Sequence, residues 1–367
     1  MAFSHVLPLL LLPAVALVLL LFQHPLFSSA AVLAWLVLAS RALSRAALNP
    51  APAVPCRGRW SDELVVVTGG SGGIGREVVR RLEGLGAAVV VLDMLPLEVP
   101  LGLCLLWLLW KLFRELTNHC FNLGDRSIFI QTDVSNRSSV YAARSAILSR
   151  LGRPPTALIA NAGILRGGGD TLLTIAEADL RSTFDVNLLG VLFCVQAFIP
   201  DMISTGRGHV IVASSVAAFS PAAGVAGYAA SKAALTCAVE GLQTELKHRH
   251  GNPAVKVSAL FPAAVRTPMF ALLDLPVPEA VMPLLEPEVV ADRMVRILDE
   301  GESEMIMMPP MATTSAWIPA MPHWVRVLIQ DAGARGTARL AAVAARRRKE
   351  GRGEKEVEMR EVTEMTL

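Results

Sequence analysis

Tyr228 and Lys232 stand four residues apart in Tyr228-Ala229-Ala230-Ser231-Lys232, a spacing that puts both on one face of a helix. Each could be incidental, but tyrosine occurs only twice in the 367 residues. An ammonium about 4 Å from a phenol, at an effective dielectric of 20, favours the phenolate by roughly 4 kcal/mol, or about three pKa units. That would move a tyrosine towards the working pH, as a general acid/base requires. A second group of residues has the makings of a phosphate cradle. In Thr68-Gly69-Gly70-Ser71-Gly72-Gly73-Ile74-Gly75 a glycine run joins an apolar strand pattern to a helical pattern over Arg76 to Leu85. Glycines at such a turn let the backbone approach a pyrophosphate, and the helix start offers free N–H groups and a partial positive charge. A glycine run alone is weak evidence, but here a strand precedes it, a helix follows it, and Asp93 closes a second strand 18 residues beyond Gly75. A carboxylate at that point accepts hydrogen bonds from ribose hydroxyls and repels a 2′-phosphate, so NAD is favoured over NADP.

The elements that must position these residues follow from the apolar pattern. Short β-branched runs at Leu64–Val67, Ala88–Leu92, Ile128–Gln131, Ala157–Ala160, His209–Ala213, Lys256–Leu260 and Glu304–Met308 alternate with amphipathic stretches. Strand–helix alternation with near-continuous apolar strands predicts an α/β fold, a Rossmann-type doubly wound parallel sheet covered on both faces. The domain is expected over residues 63–310.

The order of the motifs resembles the short-chain dehydrogenase/reductase family over about Glu63 to Met308. The glycine motif, Asp133-Val134 after the third strand, Asn161-Ala162-Gly163 after the fourth, Asn187 in a helix, Ser215 after the fifth strand and Tyr228/Lys232 all occur in the family's order. The joint match is more specific than any single motif. The resemblance implies hydride transfer between a nicotinamide and an alcohol or carbonyl carbon, with NAD or NADP as cofactor and no metal. It implies that Thr68, Gly69, Ser71, Gly73, Ile74 and Gly75 line the cofactor, that Asp133 contacts adenine and that Asn161 supports the cofactor loop. Asn187 would hold a water in a proton relay, and Lys232 would bind the nicotinamide ribose as well as tune Tyr228. Ser214 and Ser215 both compete for the substrate oxygen; the family's usual separation from Tyr228 selects Ser215, 13 residues earlier. Pro262-Ala263 stands where the family usually has Pro-Gly, with Thr267 available near the nicotinamide carboxamide. Within the family the closest likeness is to the membrane-anchored retinol dehydrogenase and 17β-hydroxysteroid dehydrogenase branch, including fungal relatives, which implies a retinoid-, steroid- or fatty-alcohol-like substrate. The reading from another functional class is a non-catalytic membrane or lipid-droplet scaffold that keeps the fold; loss of the tyrosine, lysine or serine would favour it, and all three are present.

The rest of the chain bears on where such an enzyme works. Charged residues are only 18% of the sequence and the mean hydropathy is +0.48, an excess of apolar residues that concentrates near the start. Val6 to Phe22 is apolar or proline throughout, and a second apolar run covers Ala30 to Ala39. Residues 1–45 are therefore expected to form a membrane anchor, either one span or a re-entrant hairpin. The first cations, Arg41, Arg45, Arg57 and Arg59, follow the apolar runs and would keep the catalytic domain cytosolic, on endoplasmic reticulum or lipid droplet. Residues 46–62 read as a linker, 311–337 as an interfacial extension carrying Trp317 and Trp324, and 338–367 as a solvated charged tail. A net charge of +2 gives nucleic-acid binding little support. The five cysteines form no CxxC pair, which argues against zinc or a disulfide framework. The expected partners are a lipophilic small molecule, the membrane and a second copy of the chain in a homodimer. An apolar insertion at about residues 95–121, with Trp107 and Trp110, separates Asp93 from Asp133 by more than the family's short loop and helix. It reads either as a monotopic membrane patch or as a translated intron absent from the mature protein.

Overall fold

The computed structural model describes residues 25–50, 52–53, 55–95, 120–122, 127–251, 254–270, 283–338 and 340–346. Eight strands form one sheet: β1 (Leu64–Thr68), β2 (Ala88–Asp93), β3 (Cys120–Asn122), β4 (Ser127–Gln131), β5 (Ala157–Ala160), β6 (Gly208–Ala213), β7 (Val255–Pro262) and β8 (Met305–Met308). Their order is β3-β4-β2-β1-β5-β6-β7-β8, parallel throughout except for β3, which runs antiparallel to β4 at the edge. All seven strand runs expected from sequence are present, each within one or two residues of its expected bounds.

The strands are apolar along their whole length because both faces are covered. In β1 the two-residue period divides the side chains cleanly. Leu64 and Val66 enter the core under one helical layer, whereas Val65 and Val67 enter the other. The first layer holds α3 (Arg137–Leu151), α4 (Glu177–Ser204) and α5 (Ala226–Arg249); the second holds α2 (Gly73–Gly84) and α6 (Pro287–Glu300). The chain turns back on itself between β1, which continues to β2, and β5, which continues to β6. That reversal is the topological switch point, where an open α/β sheet leaves a crevice at the carboxyl ends of its strands.

Local chemistry sets the helix limits. The Asn136 side chain accepts from the N–H groups of Ser138 and Ser139, starting α3, and Gly152 at φ +65 ends it. Within α4, Asp185–Gly190 widens to a π-helical turn, a form that places Asn187 inwards.

The flanking segments depart from the sequence expectations in three places. The stretch expected to be a free linker is docked: Asn49 Nδ2 donates to the Ser303 carbonyl, the Ser303 N–H donates to Asn49 Oδ1, and Arg45 forms a bidentate ion pair with Glu302. Cys56 and Trp60 are buried against α6 and the sheet. The charged tail begins later than expected, because residues 340–346 are helical and bury Leu340 and Ala344. The sheet, expected to be complete without the apolar insertion, gains the edge strand β3 from its last residues; residues 96–119 lie outside the described residues.

The N-terminal anchor expected over residues 1–45 lies partly outside the described residues. From residue 25 onward α1 (Pro25–Leu48) is one continuous helix. Among the described residues, the helix long and apolar enough to cross a membrane is α4, and its buried Cys194, Ala197, Phe198, Ile199 and Met202 make it the core helix of the first layer.

Candidate active site

The end of β1 is tied to the end of β5 by Thr68. Its hydroxyl oxygen accepts from Asn161 N–H at 3.1 Å and Ala162 N–H at 3.0 Å. In return Asn161 Nδ2 donates to the carbonyls of Thr68 and Gly69 at 3.3 and 3.2 Å. Asn161 therefore holds the first turn of the glycine loop. Gly75 cannot carry a side chain: a Cβ there would overlap the Gly69 carbonyl and come within 2.7 Å of Asn161 Nδ2. Gly72, by contrast, has open space on its Cβ side.

Asp93 reaches back to this loop. Its Oδ2 accepts from Ser71 N–H at 3.0 Å and its Oδ1 from Leu95 N–H at 3.3 Å, while the Ser71 hydroxyl donates to Leu95 O at 2.6 Å. Asp133 spends its Oδ1 on the N–H and hydroxyl of Ser135, at 2.9 and 2.6 Å. Thr267 faces the loop from the far side, its Cγ2 lying 3.3 Å from where a Cβ on Gly73 would stand. Ala263, in place of the usual glycine, is accommodated with its N–H donating to Met308 O at 2.7 Å.

Most of these groups and the reactive cluster border one cleft of about 640 Å³, whereas Thr68 and Gly75, expected to line the cofactor, stand behind its wall and shape the turn. The cleft runs from Asp93 and Asp133 past Gly69, Ser71, Gly73 and Ile74 to Ser215, Tyr228 and Lys232. The cleft fits an extended dinucleotide. It has an acidic end, a glycine turn opening on the first N–H groups of α2, and a deep end with a phenol, a hydroxyl and an amine.

At the deep end the choice between the two serines is decided by direction. Ser214 Oγ turns into α5, within 3.0 Å of Thr236 Oγ1 and 3.3 Å of Lys232 O. Ser215 Oγ sits against the Tyr228 phenol and holds the Ala217 N–H at 3.2 Å. Tyr228 is only 7% exposed and meets Phe270 edge-on, with ring centres 6.1 Å apart. Lys232 is buried, its Nζ donating to Ala213 O at 2.7 Å and lying 5.8 Å from the centre of the Tyr228 ring.

The electrostatics correct the sequence expectation of a phenol made acidic by its lysine. Burial pushes the Tyr228 pKa up to about 12, and the Ser215 hydrogen bond offsets this only in part. Burial also pulls Lys232 down to about 8. The ammonium is engaged by the Ala213 carbonyl, and desolvation is the largest influence on both groups. Asn187 is tied to both walls. Its Oδ1 accepts from Ile164 N–H at 2.8 Å, and its Nδ2 donates to Ile164 O and Ser231 Oγ at 2.9 and 3.1 Å. The side chain thus pins the loop after β5 to α5.

Several lining residues had no place in the sequence reading of the site, among them Ile164 and Arg166 after β5, Val265 and Met269, and Phe270 beside Tyr228. Ile164 and Arg166 follow Asn161-Ala162-Gly163 closely, a proximity that could have drawn attention to them.

The short chain dehydrogenase family profile matches residues 63–275. The chain belongs to this family. Among curated relatives, this short-chain dehydrogenase is 34% identical over 202 residues to dehydrogenase RED2 of Cochliobolus heterostrophus, covering 55% of the chain and 68% of that protein. It is 28% identical over 251 residues to human short-chain dehydrogenase/reductase 3 (67% and 75% covered), and 30% identical over 249 residues to the dog (3R)-3-hydroxyacyl-CoA dehydrogenase (66% and 91%). Two solved structures share its fold. One is a short chain dehydrogenase from Burkholderia cenocepacia in complex with NADP (TM-score 0.56, 24% identity, 75% and 99% covered). The other is a 3-ketoacyl-(acyl-carrier-protein) reductase from Brucella melitensis complexed with NADH (TM-score 0.54, 21% identity, 70% and 99% covered). The short-chain dehydrogenase described here is accordingly an NAD(P)-dependent oxidoreductase.

Proposed function

We propose that this short-chain dehydrogenase interconverts a lipophilic alcohol and its ketone or aldehyde at a membrane surface, with NAD preferred over NADP. The observation that carries the reading is the deep end of the cleft. Tyr228, Ser215 and Lys232 converge there beside an apolar wall of Ile164, Val265, Met269 and Phe270. That wall supports a hydrophobic substrate body, and the hydroxyl pair supports one polar atom to be held and protonated. A retinoid-, steroid- or fatty-alcohol-like substrate suits this apolar wall.

In use, the nicotinamide supplies a two-electron hydride acceptor or donor. The protein supplies the rest. Asp93, Ser71 and the glycine turn would hold the adenosine and pyrophosphate end, with Asp133 and Asn161 shaping the walls and Thr267 near the nicotinamide end. The Ser215 hydroxyl would hydrogen-bond the substrate oxygen. Tyr228 would give its proton to that oxygen during reduction and take it back during oxidation. Lys232 would accompany the phenol's change of charge, and Asn187 would keep the Ile164 loop in register beside it. Asp93 supports the NAD preference, since its carboxylate would oppose a 2′-phosphate.

The membrane part rests on the apolar runs near the chain start and on exposed Trp317 and Trp324, which are 67% and 68% accessible. Endoplasmic reticulum or lipid droplet, with the catalytic domain in the cytosol, remains the proposed location, and a homodimer the proposed assembly. The deciding experiment assays membrane-bound protein with 1-decanol, secondary alcohols, steroids, retinol and the matching carbonyl compounds, each with NAD(H) and NADP(H). Turnover of at least one lipophilic pair with higher kcat/KM for NAD(H) is expected. Activity confined to small polar alcohols overturns the substrate class, and a clear NADP(H) preference overturns the role of Asp93.

A further inference from the structure

Three layers of backbone meet beside the cleft without a side chain between them. Gly169, at φ +92, faces residues 340–341 so closely that a Cβ on it would overlap the Leu340 carbonyl and come within 2.7 Å of Ala341 N. On its other side the Gly169 N–H donates to Gly224 O at 2.8 Å. Gly224, at φ +77, has no room either, since its Cβ would stand 3.1 Å from Gly169 Cα. The same C-terminal segment makes a second tie: Thr337 Oγ1 donates to Ala223 O at 2.7 Å. Burial of Thr337, Leu340 and Ala344 seats it.

The first of the two loops joined here lines the site, and the second leads into the helix that carries Tyr228. The first runs from Ile164, held by Asn187 and lining the cleft, through Arg166 to Gly169. The second ends at Gly224, four residues before Tyr228, where α5 begins. Gly167 and Gly227 continue the seam, because a Cβ on either would meet Ile175, at 2.8 Å and 3.8 Å.

We propose that residues 337–346 clamp the 164–169 and 219–224 loops together and so act as a positioning element for the substrate half of the cleft. The ties described for the segment run to Gly169 and Ala223 rather than to the cofactor-lining groups. Its loss should therefore loosen the hold on substrate and spare the hold on dinucleotide. Gly169 is the position through which the clamp acts, since it contacts both the C-terminal segment and Gly224. The effect on substrate rests on the oxidoreductase reading of the cleft, whereas the clamp itself does not.

Two variants of the full chain test it. Gly169→Ala puts a methyl into the backbone seam, and Thr337→Val removes one hydroxyl with almost no change of shape. Hydrogen–deuterium exchange should quicken at residues 163–170 and 219–225 in both, with the strands β1, β5 and β6 unchanged. With 1-decanol as the probe, KM should rise about fivefold or more for Gly169→Ala and less for Thr337→Val, while the NADH Kd stays within about twofold. Unchanged exchange in both loops overturns the proposal. So does a uniform rise in exchange accompanied by weaker NADH binding, the mark of general destabilisation. If the unaltered protein fails to turn over 1-decanol, the substrate class is wrong, and the loop exchange still decides the clamp.

Discussion

Tyr228 holds its proton more firmly than an exposed tyrosine does, because a phenolate at this depth would lose its hydration and gain only one strong partner, Ser215. At neutral pH the group is a proton donor, suited to carbonyl reduction; oxidation requires the phenolate. With the pKa pushed up to about 12, the phenolate fraction grows as pH rises below that value. Hence kcat/KM for alcohol oxidation should climb from pH 7 to pH 9, and reduction should show no such rise. Parallel initial-rate profiles in both directions check this, and a flat oxidation profile would remove Tyr228 as the titrating base. Tyr228→Phe keeps the ring against Phe270 and deletes the exchangeable proton. Turnover should fall by at least about two orders of magnitude with NADH binding largely kept, as read from steady-state kinetics and fluorescence titration. Near-normal turnover would mean that another group handles the proton.

At the scale of elements, α3 shows how a single side chain sets a boundary. Asn136 satisfies two of the N–H groups that a helix start leaves without partners. Asn136→Ala should cost about 1 kcal/mol of stability, measured by urea unfolding, without altering KM, since α3 lies under the sheet away from the catalytic cluster. A loss below a few tenths of a kcal/mol would mean that backbone and solvent replace the cap. The C-terminal segment illustrates the opposite case. Its small and basic residues carry little apolar pattern, yet Leu340 and Ala344 are buried. Glycine made this contact by letting backbone lie on backbone, an attraction that leaves no hydrophobic period to read. The edge strand β3 was similarly hidden, because three residues bound only to β4 by main-chain hydrogen bonds need no particular side chains.

For the molecule as a whole, the docked segment after α1 fixes where any anchor must approach. Arg45 and Asn49 fasten it to Glu302 and Ser303, just before β8, whereas Trp317 and Trp324 follow β8. The proposed anchor predicts that the full-length protein stays in the pellet after alkaline carbonate extraction. Deleting residues through about Ala39 should release most of it, with any remainder held through the two tryptophans. Recovery of the full-length protein in the soluble fraction would exclude an integral anchor.

The seven parallel strands, the glycine turn and the Tyr228/Lys232 pair were legible in the chain because each depends on neighbours in sequence. A strand buried on both faces must be apolar residue after residue, a tight turn against a phosphate needs glycine, and one helical turn brings positions four apart together. What spacing could not supply was distance through space and loss of water. Whether Lys232 would acidify Tyr228 depended on the Ala213 carbonyl that captures its ammonium and on the burial that opposes both charges. The separation from Tyr228 had selected Ser215, but that Ser214 instead turns into α5 towards Thr236 is a matter of how β6 meets that helix. The meeting of Leu340, Gly169 and Gly224 joins residues remote in the chain through backbone atoms that every residue possesses, so only the folded arrangement could decide it.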